Sequence, residues 1–384
     1  MNFLVDFPNP HDAAAPRLRH GFGRPQRVLA AHAYEQVMPV LQQVQQVAES
    51  GLWCLGWLRY EAAPAFDAAY AQAVHAPTPG KPLAWFALFD GPQAWPELPA
   101  APDQPLVEWK PGLDRQTFDA ALARIHAAIA AGDCYQINYT AQFLGRLQGA
   151  SPQQAQALFA ALRQAQPSGY LAYVDSGEEQ LLSVSPELFF DWDGERILTR
   201  PMKGTAARGA TPAQDQANLQ AMLGSAKERA ENVMIVDLLR NDVSRIARPH
   251  SVRVPRLFHA EALPTVWQMT SDVEAITRAD VGLAHVFQAL FPCGSITGAP
   301  KRQAMRLIRE LEPEPRGVYC GAVGLVRPGS EPGRIHATFN VPIRTLQLEG
   351  DALRCGIGSG ITSGAQAEAE WLEWQHKRAF LNQV

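Results

Sequence analysis

The sequence predicts an α+β fold built on antiparallel sheets, and two observations carry that expectation. Strand-like segments follow one another directly in "GYLAYVD", "QLLSVSPELFFDWDG" and "RILTR", the order of a meander. A second run, "GVYCGAVGLVRPG", "RIHATFNVPIRTLQLEG" and "DALRCGIGSGIT", does the same near the end of the chain, while helical segments are inserted between such runs.

The elements read as follows. "YEQVMPVLQQVQQVAES" is an amphipathic helix, with Val37, Leu41, Val44 and Val47 recurring at three- and four-residue steps. "GLWCLGWLRYEAAPAF" alternates like a strand. Residues 90–105 are rich in proline and alanine and read as a linker, dividing an N-terminal lobe with linker (1–105) from a larger unit (106–384), with integration into one fold expected. In the larger unit, "RQTFDAALARIHAAIAAGD" is a helix ending near Gly132, and "CYQINYTAQFLGRL" is a strand. Residues 211–247 read as one long helix. Thr211 caps it, Pro212 suits its first position, Gln214 completes a T-x-x-Q capping box, and Gly224 is a point of interruption. "APKRQAMRLIRELEP" is a helix with Pro300 in its first turn, and "AQAEAEWLEWQHKRAFL" closes the chain as another.

Composition narrows the class. The chain has 384 residues, 47% of them apolar and 19% charged, with a net charge of −4. That is ordinary globular composition, with no basic excess to seek nucleic acid or an anionic membrane. No signal peptide and no apolar run of about 18 residues is visible. Cysteines 54, 134, 293, 320 and 355 are odd in number and form no C-x-x-C pair, so reduced thiols in a cytoplasmic protein are expected.

The candidate chemistry is anionic recognition and acid–base work. Glu228 and Glu231 share a helix face, as do Glu370 and Glu373 with Lys377 beyond. Both segments carry apolar neighbours. These carboxylates are either solvated ion pairs or hard oxygen donors suited to Mg²⁺. "FPCGSITGAPKR" lacks phosphate-loop spacing and "GIGSGIT" lacks the dinucleotide fingerprint, so nucleotide binding is not expected. Lys301 and Arg302 stand in the first turn of a helix, against its dipole, where a nearby anion would explain them. Arg344 lies in a strand, as an edge residue or as a carboxylate clamp. Glu187 follows Pro186 and precedes an apolar run, which suits a dry pocket and a raised pKa. Lys203 in "TRPMKGTAAR" sits on a turn restricted by proline and glycine. It is either an ion-paired lysine or a nucleophile that burial helps to discharge.

Taken in order, "GDCYQINYT", "SVSPELFF", "TRPMKGTAAR", "AENVMIVDLLRNDVSRI", "FPCGSITGAPKRQAM", "RGVYCGAVG", "FNVPIRT", "GIGSGI" and "AEWLEWQHK" resemble the chorismate-utilising enzymes over about residues 110–384. The resemblance implies an anthranilate-synthase-like α/β sandwich of two large antiparallel sheets, helices outside and the site between them. It implies chorismate as substrate and Mg²⁺ as cofactor, with Glu231 and Glu373 as ligands and Glu370 close by. It further implies substrate contacts from Gln136, Gly204, Thr205, Tyr319, Arg344, Gly358, Ser359 and Gly360.

Three positions bear on the branch. The turn P-M-K-G-T looks like the aminodeoxychorismate synthases, P-I-K-G-T, rather than the anthranilate synthases, P-I-A-G-T. In that branch the lysine, here Lys203, attacks ring C2 as the C4 hydroxyl departs, Glu187 protonates the leaving hydroxyl, and ammonia then attacks C4. Gln136 stands where the water-using members have an activating lysine. Gln268 stands where anthranilate synthases have a histidine used in pyruvate elimination. The resemblance therefore implies a 4-amino-4-deoxychorismate product on the route to folate. No glutaminase unit is apparent, so ammonia is expected from solution or from a separate glutamine amidotransferase subunit. The leucine–serine motif that binds tryptophan in many relatives is missing, and no tryptophan feedback is expected.

Overall fold

Two antiparallel sheets are stacked with their helices outside in the computed structural model, which describes residues 1–100, 106–263 and 266–383. The nine-stranded sheet runs in the order Gly298–Ala299, Gln136–Leu147, Ala352–Thr362, Thr345–Glu349, Gln180–Ser185, Tyr170–Asp175, Phe3–Phe7 and Leu18–Phe22, with Val107–Trp109 also on Gln136–Leu147. The ten-stranded sheet runs Met202–Ala207, Val266–Ile276, Arg196–Arg200, Leu188–Trp192, Ile335–Asn340, Ala322–Pro328, Trp53–Leu58, Ala84–Phe89 and Arg27–Ala31, with Arg253–Ala262 also on Val266–Ile276. This is the α+β sandwich expected.

Three apolar clusters fill the layers. Outside the nine-stranded sheet, helices Arg115–Ala130, Pro152–Ala165, Lys301–Leu311 and Ala367–Arg378 bury residues such as Phe118, Phe159, Leu307 and Trp374. Outside the ten-stranded sheet, helices Tyr34–Glu49, Ala226–Ser244 and Leu283–Leu290 bury Val44, Ile235 and Phe287. Between the sheets lie Phe3, Phe7, Phe22, Trp57, Trp85 and Tyr170, with the Trp57 and Trp85 rings stacked at 4.5 Å. Burying such large aromatic surfaces is the main attraction between the sheets.

Strands from the first hundred residues pair directly with later ones. Phe3–Phe7 pairs with Tyr170–Asp175, and Trp53–Leu58 with Ala322–Pro328. The last five residues of the expected linker, 101–105, lie outside the described residues.

Several local expectations are refined. "GLWCLGWLRYEAAPAF" holds a strand only over Trp53–Leu58, buried on both faces rather than alternating because Cys54 and Leu58 pack under the outer helices and Leu55 and Trp57 between the sheets; a 3-10 helix follows at Tyr60–Ala65. The expected long helix is two, Pro212–Gly224 and Ala226–Ser244. Ser225 breaks it with extended backbone and caps the second helix by accepting from Glu228 N. Thr211 caps the first as expected, but Gln214 reaches Ala210 N rather than the cap itself. Pro300 is the cap residue of its helix, not part of the first turn. Lys301 is not directed at a ligand anion. Its Nζ donates to Asp242 at 2.8 Å and to the Leu290 carbonyl at 3.3 Å, a buried internal pair. All five cysteines are free and buried, and no described helix is long and apolar enough to cross a membrane.

A buried charge network stitches the layers behind the wall of the inter-sheet space formed by Asn138 and Ile296. Arg316, 2% exposed, donates to Glu312 at 2.7 and 2.8 Å and to the Ile296 and Asn138 carbonyls at 2.8 and 2.7 Å, under the Tyr60 ring. Glu312 in turn accepts from Thr140 N and Oγ1, both at 2.9 Å. Removing the guanidinium leaves a buried carboxylate uncompensated. Arg316→Met is expected to lower the unfolding free energy in urea by about 3–5 kcal/mol; a change under about 1 kcal/mol would mean that Glu312 finds another partner or a proton.

Candidate functional site

Two chain crossings create the site. Ser185 ends a strand of the nine-stranded sheet and Leu188 begins one of the ten-stranded sheet, so Pro186 and Glu187 bridge the layers. Asn340 and Thr345 are related the same way, and Val341 to Arg344 bridge in the opposite sense. The crossings bond to each other. Ser185 Oγ donates to Val341 O at 2.5 Å, Val341 N to Glu187 O at 3.0 Å, and Val184 N to Arg344 O at 3.1 Å. Backbone groups that leave a ladder need partners, and each crossing supplies the other's. Glu187 and Arg344 are thereby both brought to a cleft of about 650 Å³ that opens from an inner recess of about 120 Å³; both line both parts.

Lys203 comes from the neighbouring strand Met202–Ala207. There Met202 faces Thr270 but Thr205 faces Gln268, so Lys203 and Gly204 stand together opposite Met269. That is a β-bulge, the device that re-aims a side chain. Gly204 takes φ +93, open to glycine and strained for other residues. Lys203 lines both recess and cleft. A Cβ at Gly360 would sit 2.7 Å from Lys203 Nζ and 2.8 Å from Gln136 Nε2, so only glycine leaves room for the amine there. Gln136 is fully buried behind it, and neither side-chain polar atom has a hydrogen-bond partner among the described residues.

Electrostatics then sort the charged groups. Burial pushes Glu187 up to about 7, against the opposing pull of Ser295, Lys203 and Lys377, and its Oε1 has no hydrogen-bond partner. Burial lowers Arg344 to about 10; its guanidinium donates to the neutral Gln166 amide. Four carboxylates face the cleft from two helices, Glu228 and Glu231 on one, Glu370 and Glu373 on the other. Burial raises the Glu228 pKa, and Glu231 and Glu373 add to it; burial and Glu373 likewise raise Glu370. Lys227 Nζ lies 4.0 Å from Glu231 and 3.8 Å from Glu370, and Lys377 Nζ 2.7 Å from Glu373 and 3.0 Å from Gly358 O. Among the described residues Lys203 makes no ion pair.

This donor set fits a hard divalent cation in chemistry: it offers oxygen ligands only, close enough that neighbouring carboxylates add to the raised pKa of Glu228 and Glu370, while burial of Glu373 is outweighed by Lys377 and the other cleft lysines, which hold it low. In their present rotamers Glu231, Glu370 and Glu373 are engaged by lysines or hydroxyls, and among the described residues no three potential ligands converge on one point.

Most residues singled out from sequence meet here. Glu187, Lys203, Arg344, Tyr319, Gly358 and Gly360 line the recess, and Gly204, Thr205, Glu231, Glu370 and Glu373 the cleft. Ser359 differs from its neighbours in where its side chain goes. Strand alternation turns it away from the flanking glycines and onto the last helix, where its hydroxyl donates to Glu370 at 2.7 Å and accepts from Trp374 Nε1 at 3.0 Å. Its hydroxyl holds a carboxylate of the cleft. Thr205 also has its hydroxyl engaged, by Gln268 Oε1 at 3.1 Å. Sequence reasoning weighs Glu228 as an oxygen donor without placing it in the implied ligand set, and assigns no site role to Lys227, Gln166 or Lys377. The three-residue spacing of Glu228 and Glu231 was a signal for the first; nothing in sequence pairs Gln166 with Arg344, 178 residues away.

A family model described as chorismate binding enzyme matches residues 19–383. Among curated relatives, aminodeoxychorismate synthase component 1 of Klebsiella aerogenes is 39% identical over 74% of this chain and 63% of its own length. The Escherichia coli K12 protein of that name is 37% identical over 69% and 57%. Anthranilate synthase component 1 of Neisseria gonorrhoeae is 36% identical over 68% and 52%. The matches thus span between half and two thirds of those relatives. Anthranilate synthase component I from Streptococcus pneumoniae superposes with a TM-score of 0.74 at 24% identity, covering 99% of this chain and 90% of that one. The menaquinone-specific isochorismate synthase MenF of Escherichia coli does so at 0.71 and 18% identity, covering 94% and 84%. With the sandwich, the cleft between its sheets and these matches together, the chain belongs to the chorismate-binding enzyme family.

Proposed function

We propose that this chain is the chorismate-converting component of an aminodeoxychorismate synthase, turning chorismate and ammonia into 4-amino-4-deoxychorismate and water. One observation carries the reading: an amine with no ion-pair partner among the described residues, Lys203, shares the inner recess with a buried carboxyl group held near neutrality, Glu187. Lysine at this position separates the reading from anthranilate synthesis, since overall similarity to relatives of the two names differs by only a few per cent.

Lys203 in its neutral form attacks ring C2. The two ring double bonds shift by one position, and the C4–O bond breaks. Glu187, protonated, gives its proton to the departing hydroxyl, which leaves as water. Ammonia then attacks C4, the double bonds return, and the C2–N bond to Lys203 breaks. The proton lost by ammonia restores the amine or Glu187. Arg344 is placed to clamp a substrate carboxylate, because its own protein partner is a neutral amide and leaves its charge uncompensated. Gln136 cannot deprotonate water, which disfavours hydroxylation. Mg²⁺ would be held by Glu231 and Glu373 with Glu370 beside them. It would supply charge neutralisation for the ring carboxylate of chorismate. Ammonia comes from solution or from a separate glutamine amidotransferase subunit.

Two outcomes test this. With chorismate, Mg²⁺ and ammonium, the chain should yield a product that becomes 4-aminobenzoate only after a lyase is added, and Lys203→Ala should abolish it with an unchanged circular dichroism spectrum; fluorescent anthranilate, or wild-type turnover in the variant, overturns the reading. Glu187 works in its protonated form, so kcat/KM corrected for free ammonia should fall as pH rises through about 7. Glu187→Gln should lose about 10²–10⁴-fold in kcat and lack that limb. A flat profile in the wild type would remove Glu187 from the acid role.

A further inference from the structure

We infer that Gln268 is a positioning residue for Lys203: its side-chain amide replaces the ladder bonds lost at the bulge and fixes the direction in which the amine points. The inference rests on the proposed role of Lys203.

The bulge creates the need. Two residues, Lys203 and Gly204, face the single residue Met269, so the regular pairing of Met202–Ala207 with Val266–Ile276 is interrupted at the position that presents the amine. A carbonyl turned out of a ladder in a partly buried strand must find a donor. Gln268, 7% exposed, is the residue directly after the interruption, in register with Thr205. Its Nε2 donates to Gly204 O at 2.8 Å, and its Oε1 accepts from Thr205 Oγ1 at 3.1 Å. One amide thus grips both residues that follow Lys203, using a donor and an acceptor at once.

No simpler residue does both. A carboxylate would accept from Thr205 but repel the Gly204 carbonyl, and an aliphatic side chain would do neither. Gly204 is also boxed from the other sides. A Cβ there would sit 3.2 Å from Glu228 Oε2 and 3.2 Å from Met269 Cβ. With φ +93, Gly204 is a natural pivot, and the amide is what stops it turning. Displacement of the amine by about 1 Å would cost up to a hundredfold in rate, since attack on carbon needs near-contact geometry.

The test uses two variants, Gln268→Leu and Gln268→Glu, with two readouts. In the chorismate and ammonia assay, Gln268→Leu should lower kcat by about tenfold to a hundredfold while KM for chorismate stays within about threefold. Gln268→Glu should be equally slow at neutral pH but recover, relative to wild type, as pH falls, because a protonated carboxyl donates again to Gly204 O; Gln268→Leu should show no such recovery. The second readout needs no turnover: labelling of Lys203 by an amine-reactive reagent, followed by peptide mass spectrometry. Its rate should change at least severalfold in Gln268→Leu, with Lys227 and Lys377 labelled as in wild type. Unchanged Lys203 labelling overturns the inference, as does a fall in kcat matched by a rise in KM. If wild type makes no aminated product, the reaction proposed above fails, and the labelling comparison still decides the role of Gln268.

Discussion

The mutual bonding of two sheet-to-sheet crossings is the constraint on which the site depends. Either crossing alone would leave carbonyls and amides without partners in the dry space between the layers. Together, through Ser185, Val341, Glu187 and Arg344, they close their own hydrogen bonds and bring an acid and a guanidinium into the lining of one cleft. The surrounding sandwich serves that seam. Stacked aromatics press the sheets together at one end, and the Arg316–Glu312 network braces the wall formed by Asn138 and Ile296. The cleft lies where the aromatic filling stops.

Charge is distributed in that cleft by partner rather than by count. Lys227 and Lys377 are engaged with carboxylates, Arg344 with a neutral amide, and Lys203 with no acid among the described residues. Glu187, buried with one oxygen unpartnered, is the carboxyl group most nearly poised between its two states. A substrate with carboxylates would meet an uncompensated guanidinium and, in the proposed reading, a dication. The amine would remain available for bond formation. This division follows from where each side chain is anchored. Lysines on helices reach helical acids three or four residues away, whereas Lys203 is presented from a bulged strand with its helical neighbours across the cleft.

Much of this was legible in the sequence because the motifs are local. The meander, the capped helices, and the segments around Glu187, Lys203 and Arg344 each carry their own pattern. What was not legible is what the stacking of layers decides. The strand at Trp53–Leu58 reads as alternating only if one face is assumed wet; helices on one side and the facing sheet on the other bury both. Ser359 sits among glycines that face the recess, yet strand alternation sends it to the last helix and Glu370. Lys301 in a first helical turn suggested an external anion, while the fold brings Asp242, 59 residues earlier, to its ammonium. The Gln268 side chain reads as a missing histidine in sequence and as a clamp on Gly204 in the structure.

The most direct measurement is intact-protein and peptide mass spectrometry of the chain quenched during incubation with chorismate in the absence of ammonia. A covalent adduct of chorismate less one water, confined to the peptide that carries Lys203 and discharged by adding ammonium, is the result this chemistry requires. An unmodified Lys203 under conditions that support turnover, or an adduct on a different residue, would contradict it.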